Sequence, residues 1–480
     1  MATYWLENFG CRATQADAAA IERQLVERGA QRVPAADAQL VVVNTCTVTA
    51  AADAQAREAI RSIHARNPAA RILATGCYAQ RAPEELAALP GVEWVVGNSH
   101  QQQIGALAAG VCGPSDAWQA SGPASGSDLQ GFVSLDTLTA GNAGRIPLPR
   151  APKILTGNIF EATEFAAPSA GRAMGTLHAR TRPVLKIQDG CNQRCSYCVI
   201  PFVRGRSRSL PPAEVLEQVQ QLVAAGAKEV VLSGINLGSW GRDLTPRVAF
   251  RDLLARLLDE TPLERLRLSS IEPMDLTLDL VELAARSPRL APHFHAPLQS
   301  GSDRMLAAMH RWYRAAHYAE RILRLAERLP GAAIGADAIC GFPGETDADH
   351  RATVEFIEKL PFAYLHVFSY SSRPGTQAAG LGSPVPQALV RQRSRELRAL
   401  SARKAAAFRA SQAGTRQRVL TLGRGGRTAA GIPWTGALTG NYLRVRVPGS
   451  FPKNTWLDVR LEPAPAGEPG TELYALGVPL

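Results

Sequence analysis

The chain has 480 residues, roughly three domains' worth at about 150 residues each. Apolar residues make up 46% and charged residues 20%, which excludes a wholly disordered or fibrous chain. Lys and Arg number 53 against 42 Asp and Glu, a net +11, and 11 of those bases with a single acid, Glu396, lie between Arg391 and Ala430. A stretch so basic points to a phosphate-bearing partner such as nucleic acid, with a solvated helix face as the bland alternative. No apolar run reaches the ~18 residues of a membrane span, and Glu7 stands where a signal peptide would be basic. A cytoplasmic chain with no membrane partner is the expectation.

In chain order, residues 4–9, 40–45, 71–76 and 94–97 read as strands, with helices expected over 14–28, 50–66 and 83–89. Such alternation predicts a parallel sheet with helices on both faces, in a first domain spanning 1–110. Residues 113–181 are rich in Gly, Ala, Ser and Pro and read as a linker or insertion (111–180), with a local strand at 153–160. Six further strands follow at 184–189, 229–234, 265–271, 293–298, 333–340 and 363–369, with helices such as 213–225 and 348–360 between them. They predict a (β/α)6 partial barrel over 181–412, with chemistry at the carboxyl ends of its strands. A basic helix at 387–413 precedes short strands at 416–422, 442–447, 456–461 and 472–475, which fit a small β-barrel over 413–480. The fold class is α/β with this small barrel appended.

The eight cysteines stand at 11, 46, 77, 112, 191, 195, 198 and 340, too sparse for a secreted disulfide scaffold. Cys191, Cys195 and Cys198 form a C-x3-C-x2-C loop directly after the first strand of the partial barrel. Three thiolates on one loop can hold three corners of a cubane iron–sulfur cluster and leave the fourth iron open. A structural zinc site normally has four protein ligands, and no fourth lies at finger spacing here. Cys11, Cys46 and Cys77 each follow the end of a strand in the first sheet, 35 and 31 residues apart. Carboxyl ends of parallel strands share one sheet edge, so these thiols can converge on a second cluster, although buried structural cysteine is the ordinary role of each alone. Cys112 and Cys340 match neither pattern and read as core or incidental thiols.

The loop resembles that of the radical S-adenosylmethionine enzymes, and the whole chain is similar to their methylthiotransferase branch. The matching strings are FGCRATQAD, NTCTVT, TGCYAQ, DGCNQRCSYCVIPFVRGRSRS, PLQSGSDRML, GFPGET and FSYSSRPGT. Thr14 departs from the family pattern, which usually carries Asn there. The resemblance implies S-adenosylmethionine and two 4Fe-4S clusters. The one on Cys191, Cys195 and Cys198 generates the radical that attacks an unreactive C–H bond; the one on Cys11, Cys46 and Cys77 holds the sulfur that is methylated and inserted. It implies a C-terminal barrel of the TRAM kind, tRNA recognised near the anticodon, and an external electron donor. RGRSRSLP, LSGINLGSWGRDL and RLRLSSIEP look most like the branch acting on N6-threonylcarbamoyladenosine at tRNA position 37. The alternatives are the isopentenyladenosine branch, the branch acting on a ribosomal-protein aspartate, and, from outside enzymology, an iron–sulfur RNA-binding redox sensor.

Other residues have proposed roles and ordinary ones. Gly234 and Asn236, after the second strand, Glu272 after the third, and Gln299 and Ser300 after the fourth are candidates for cofactor contact, although a strand-end turn or surface carboxylate has the same sequence. His293 and His295 share a strand face, as a metal pair or, more ordinarily, as hydrogen-bonded lining. Asp337 is expected to point inward and to need a partner. Asp337 and Arg373 are candidate substrate contacts; Arg416 and Arg418 are candidate phosphate contacts, and Tyr442 a stacking platform for a base.

Overall fold

The computed structural model describes residues 2–112, 153–163, 165, 181–428, 431–463 and 473–476. The segment LVVVNT forms β3 (Leu40–Thr45), buried along its whole length, as a central parallel strand covered on both faces must be. Around it lie β1 (Thr3–Asn8) and β2 (Gln31–Arg32) on one side, and β4 (Arg71–Gly76), β5 (Val92–Gly97) and β6 (Lys153–Leu155) on the other. The order is β2-β1-β3-β4-β5-β6 and every pair is parallel. The strand expected at 153–160 is therefore three residues long and belongs to this sheet as its edge.

Helix α1 (Arg12–Glu27) follows β1, α2 (Ala50–Arg66) follows β3, and α3 (Cys77–Arg81) follows β4 directly. Thr49 caps α2, its hydroxyl accepting from Ala52 N at 3.2 Å. The buried face of α1 is built from Ala13, Ala16 and Ala20, and such small side chains let the helix lie close to its neighbours.

The central unit contains β7 (Val184–Lys186), β8 (Gln188–Asp189), β9 (Arg208–Ser209), β10 (Glu229–Ser233), β11 (Arg265–Leu268), β12 (His293–His295), β13 (Ala333–Cys340) and β14 (Tyr364–Ser369). Parallel trios β7-β10-β11 and β12-β13-β14 are stitched by bridges Leu266–Leu290 and Ser270–His295. Six parallel strands thus follow one another as the periodicity predicts, while β8 and β9 split off as a small antiparallel ribbon beside the cysteine loop. Leu232, Leu266, Leu268 and Phe294 meet Leu253, Leu257, Ile322 and Leu325 from the covering helices in the largest core. Each such side chain contributes about 1.5–3 kcal/mol on burial.

The helix Gln387–Ser411 buries Val390, Leu397 and Leu400 and leaves Arg391, Arg395 and Arg398 exposed, so the basic run is in part a solvated face. Beyond it, β15 (Arg416–Arg427), β16 (Pro433–Leu438), β17 (Arg444–Pro448), β18 (Trp456–Glu462) and β19 (Leu473–Leu476) close into a barrel in the order β15-β16-β17-β19-β18. Strand β16 escapes sequence reading because it opens on Pro433 and contains Gly436, both poor strand signals. Arg267 ties barrel to core: its guanidinium donates to Gly440 O at 2.8 Å and to Glu229 Oε1 at 2.7 Å, fully buried.

Candidate active site

Cys191, Cys195 and Cys198 occupy the loop between β8 and the short helix Ile200–Arg204. Backbone bonds fix the loop: Cys191 N donates to Gly205 O at 3.0 Å, Ser196 N to Met309 O at 3.1 Å, and Cys198 N to Cys195 O at 3.1 Å. Two donors already face sulfur, Gln193 N on Cys191 at 3.4 Å and Arg311 Nη1 on Cys195 at 3.4 Å. The Arg311 guanidinium is itself paired with Glu272, whose carboxyl is pushed up by burial although Arg311 opposes this. Burial pushes the Cys198 thiol up to about 12, helped by Cys195, and Cys191 up to about 11, where the Gln193 N–H opposes it. Thiols such as Cys191 and Cys198, which burial keeps protonated, readily give up their protons to bind a cationic centre such as a metal. With sulfur-directed N–H donors in place, the set fits an iron–sulfur cluster.

The other three thiols arrive from separate strands. Cys11 follows β1 and caps α1, Cys46 follows β3, and Cys77 begins α3 at the end of β4. Gly10 has φ +114°, and a side chain there would sit 2.7 Å from Cys46 Cβ, so glycine lets the Cys11 turn lie directly on Cys46. Gly76, at φ +98°, does the same for β4 over Thr45, whose carbonyl a Cβ would meet at 2.4 Å. Thr14 completes the turn by donating to Cys11 O at 2.7 Å, while Asn44 Nδ2 donates to Thr14 O at 2.9 Å. Burial, with Cys77 and Cys11 as neighbours, pushes the Cys46 thiol up to about 12. Burial pushes the Cys77 thiol up as well, and with Cys11 beside both, this set has the donor chemistry that an iron–sulfur cluster takes.

The two thiol sets share a wall. Cys77 packs against Val199 and Val203, and Val199 is the residue after Cys198. Arg204 Nε donates to Cys77 Sγ at 3.3 Å, and its other nitrogens hold Asp17 of α1 at 2.7 Å and Asp189 of β8 at 3.0 Å. Lys186 of β7 bridges the same carboxylates, with Asp189 at 2.8 Å. All four side chains are buried, and burial of Asp189 is more than offset by Arg204 and Lys186, which hold its carboxyl well below the usual range. The sequence reading missed this quartet; Asp17 ends the quoted string FGCRATQAD, and Asp189 and Arg204 lie inside the quoted loop string, but Lys186 carries no local signal and nothing in the strings pairs them.

The strand faces between β12 and β14 carry a polar chain. Tyr364 Oη lies 2.9 Å from His293 Nε2 and 3.2 Å from His295 Nδ1, and Asp337 Oδ1 meets His295 Nε2 at 2.9 Å and His366 Nδ1 at 3.2 Å. Burial of Asp337 is outweighed by these two imidazoles, which hold its carboxyl well below its ordinary value. The histidines are hydrogen-bonded lining, as the sequence allowed. Ligand atoms of His295, Asp337 and His366 lie within 4.8 Å of one another, close enough for a metal, yet each is engaged in these hydrogen bonds.

Below them opens a cavity of about 650 Å³ where α1, the start of the central sheet and the barrel meet. Arg12, Arg182, Arg424, Arg444 and Lys453 line it without a carboxylate. Tyr442 stacks on His293 with ring centroids 4.5 Å apart and accepts from Arg12 Nη2 at 3.3 Å. Burial pushes the Tyr442 phenol up, but Arg12 and Arg182 more than offset this and hold it below its ordinary value.

Several expected contacts go elsewhere. Arg373 does not face a substrate space: it is buried and its Nη1 holds Asp53 Oδ2 at 2.6 Å, because a guanidinium taken out of water needs a counter-charge. The Ser300 hydroxyl is buried and engaged with Thr353 Oγ1 at 3.1 Å. Tyr442, expected as a stacking platform, stacks on His293 and lines the cavity. Arg418 is partly spent on Glu264 at 2.8 Å and lies over Trp456, whereas Arg416 is exposed. Gly234 and Asn236 border the cysteine loop: Asn236 N donates to Gln188 Oε1 at 2.8 Å, and its own Oδ1 is buried without a partner. Gln299 holds φ +72°, an unfavourable backbone for a non-glycine, with its N on Asp337 O at 2.8 Å. Cys340 is a core thiol; Cys112 ends a helix and its side chain lies outside the described residues.

Family descriptions match in two places: the Radical SAM superfamily over residues 185–357, and Uncharacterized protein family UPF0004 over 3–97. The threonylcarbamoyladenosine tRNA methylthiotransferase MtaB of Aquifex aeolicus is 34% identical, covering 87% of this chain and 92% of its own. Its Bacillus subtilis counterpart is 36% identical over 84% and 80%. A tRNA-2-methylthio-N(6)-dimethylallyladenosine synthase of Arthrobacter is 32% identical over 88% and 74%. Among solved structures, the radical S-adenosylmethionine methyltransferase TsrM of Kitasatospora setae, with cobalamin and a 4Fe-4S cluster bound, superposes with TM-score 0.54 over 79% of this chain and 74% of that one. At 18% identity that likeness concerns the fold alone.

Proposed function

This chain belongs to the radical S-adenosylmethionine methylthiotransferases, and from that premise we propose that it inserts a methylthio group at C2 of N6-threonylcarbamoyladenosine at position 37 of tRNA. Family membership makes it an enzyme using S-adenosylmethionine and a 4Fe-4S cluster, and removes the redox-sensor alternative. In our reading Cys191, Cys195 and Cys198 hold that cluster, and Cys11, Cys46 and Cys77 hold a second. When bound, these groups supply the one-electron cleavage of the sulfonium, the removal of the C2 hydrogen and the sulfur that replaces it.

The protein's own part is placement. The observation that carries the reading is the shared wall, in which Cys77 packs on Val199 beside Cys198. A hydrogen taken from C2 at one site must be replaced by sulfur from the other without the base leaving, and contiguous sites allow this. Arg311 holds Cys195 and Glu272, Asn236 borders Cys191, and Gln299 stands at the strand end nearby, where each can contact the cofactor. The exposed Arg416 and the basic face of the helix Gln387–Ser411 are suited to tRNA phosphates near the anticodon. An external reductant supplies the electron, and the cytoplasm is where such a substrate is met. Among the described residues no helix is long and apolar enough to cross a membrane.

The test is mass spectrometry of nucleosides from tRNA incubated with anaerobically reconstituted protein, dithionite and S-adenosylmethionine. Threonylcarbamoyl- and isopentenyl-modified tRNAs are both offered, since relatives of both kinds match. A methylthio mass gain on the threonylcarbamoyl nucleoside alone is the expected result. Gain on the isopentenyl nucleoside alone transfers the assignment to the sister branch; 5′-deoxyadenosine without gain on either points to a protein substrate.

A further inference from the structure

We propose that Arg12 is the residue that selects the substrate, receiving the carboxylate of the threonylcarbamoyl group on its guanidinium. The inference rests on the tRNA reading above and deepens it. Arg12 is the residue after Cys11, so its side chain is rooted beside the second thiol set. A base whose C2 faces that set carries its N6 substituent on C6, across N1 from C2, and a long side chain starting next to the sulfur source reaches the same neighbourhood.

The guanidinium is not satisfied within the protein. Its Nη2 donates to Tyr442 Oη at 3.3 Å, whereas Nη1 is buried without a partner. A buried cationic donor left unpaired is costly, and an arriving carboxylate relieves that cost. The surroundings have the same sign. Arg182 stands beside the Tyr442 ring, 5.5 Å from its centroid, and none of the residues lining the cavity is acidic. Glu229, which pairs with the lining residue Arg182, is already shared with Arg265 and Arg267. An isopentenyl group would leave the Arg12 donor unpaired, so the same residue that favours the acidic nucleoside works against the apolar one.

An anion at Arg12 has two sources, the nucleoside's carboxylate or a tRNA phosphate, and the experiment separates them. Fluorescent anticodon hairpins carrying threonylcarbamoyladenosine, its carboxamide analogue or unmodified adenosine are titrated onto the reconstituted protein without reductant, and kcat/KM is measured on the corresponding tRNAs. The unaltered protein should prefer carboxylate over carboxamide by roughly 10- to 100-fold, the worth of one charge-assisted hydrogen bond. Arg12→Gln should erase that preference while leaving the affinity for unmodified hairpin within about twofold, and Arg12→Lys should restore part of it; iron content qualifies each variant. Equal treatment of carboxylate and carboxamide by the unaltered protein overturns the proposal with no variant needed. An equal loss on all three hairpins in Arg12→Gln overturns it in favour of a phosphate contact. If the unaltered protein methylthiolates isopentenyl tRNA and ignores the threonylcarbamoyl one, the substrate reading falls and this inference with it, a pattern distinct from both.

Discussion

The two sets of three thiols reach the same kind of site by opposite routes. Cys191, Cys195 and Cys198 are neighbours along the chain, and a few backbone bonds within one loop arrange them. Cys11, Cys46 and Cys77 come together only because β1, β3 and β4 are adjacent and parallel, with Gly10 and Gly76 allowing the strand ends to touch. The first geometry is local and the second is a product of the fold. Their supporting cations differ in the same way: among the described residues Arg311 has one carboxylate partner, Glu272, whereas Arg204 is locked into a quartet joining two units. A site made by topology inherits the stability of the whole; a site made by a loop does not.

The strongest way to break this comparison is to remove one thiol from each set. Cys198→Ala should lower 5′-deoxyadenosine formation from S-adenosylmethionine at least ~100-fold and abolish methylthiolation with it, as loss of a group acting in the reaction does. Cys46→Ala should leave 5′-deoxyadenosine formation within a few-fold and abolish only the methylthio product. Loss of both activities in a folded Cys46→Ala protein, read by chromatography of the two products, would end the division of labour proposed here.

Next in size is the cation pair. Arg204→Gln leaves Asp17 and Asp189 facing only Lys186 in a buried space, which should cost about 3–5 kcal/mol in urea unfolding. Arg311→Gln should cost less in stability but lower the reduction potential of the loop cluster, because the cation that donates to Cys195 Sγ favours the more negative reduced state, read by redox titration. If the two variants unfold at the same urea concentration, the quartet does not join the units.

A pH series probes the polar chain beside the cavity, outside both thiol sets. Burial first, and Arg267 and Arg12 after it, hold the His293 imidazole well below its usual value, so it is neutral in the folded protein. An unfolded chain binds that proton below about pH 6.5, so stability present above this value is lost as pH falls through it. The loss should approach about 1.4 kcal/mol per pH unit, and His293→Asn should flatten the slope between pH 6 and pH 5. The smallest effect is expected at the periphery. Arg418→Ala removes an exposed pair with Glu264, costing about 0–1 kcal/mol, and should lower the salt dependence of tRNA binding only slightly.

What could be read before folding follows from the same contrast. The cysteine loop was visible as a local string, and the strand-end thiols were visible once alternation of strands and helices implied one sheet edge. The six central strands were legible because each is a short apolar run between amphipathic helices. Strand β6 and strand β16 were harder, the first being three residues long and the second interrupted by Pro433 and Gly436. Side-chain partners across units were not legible at all. Arg373 was a candidate substrate contact from the resemblance and an ordinary turn residue by its Pro-Gly neighbours, and neither reading could give its partner Asp53, which lies 320 residues earlier. Tyr442 was legible as a ring available for stacking, but its partner His293, 4.5 Å away between centroids, lies in β12, far earlier in the chain. Pairing of that range is decided by docking, which periodicity does not encode.

The buried quartet of Asp17, Lys186, Asp189 and Arg204 has a consequence for inheritance. A segment ending near residue 112 would present the Asp17 carboxylate, which is fully buried here, without either cation, and a segment starting at 181 would present Lys186 and Arg204 short of one acid. Neither half is a clean module. A new neighbour for the N-terminal sheet would have to bring the matching charges along.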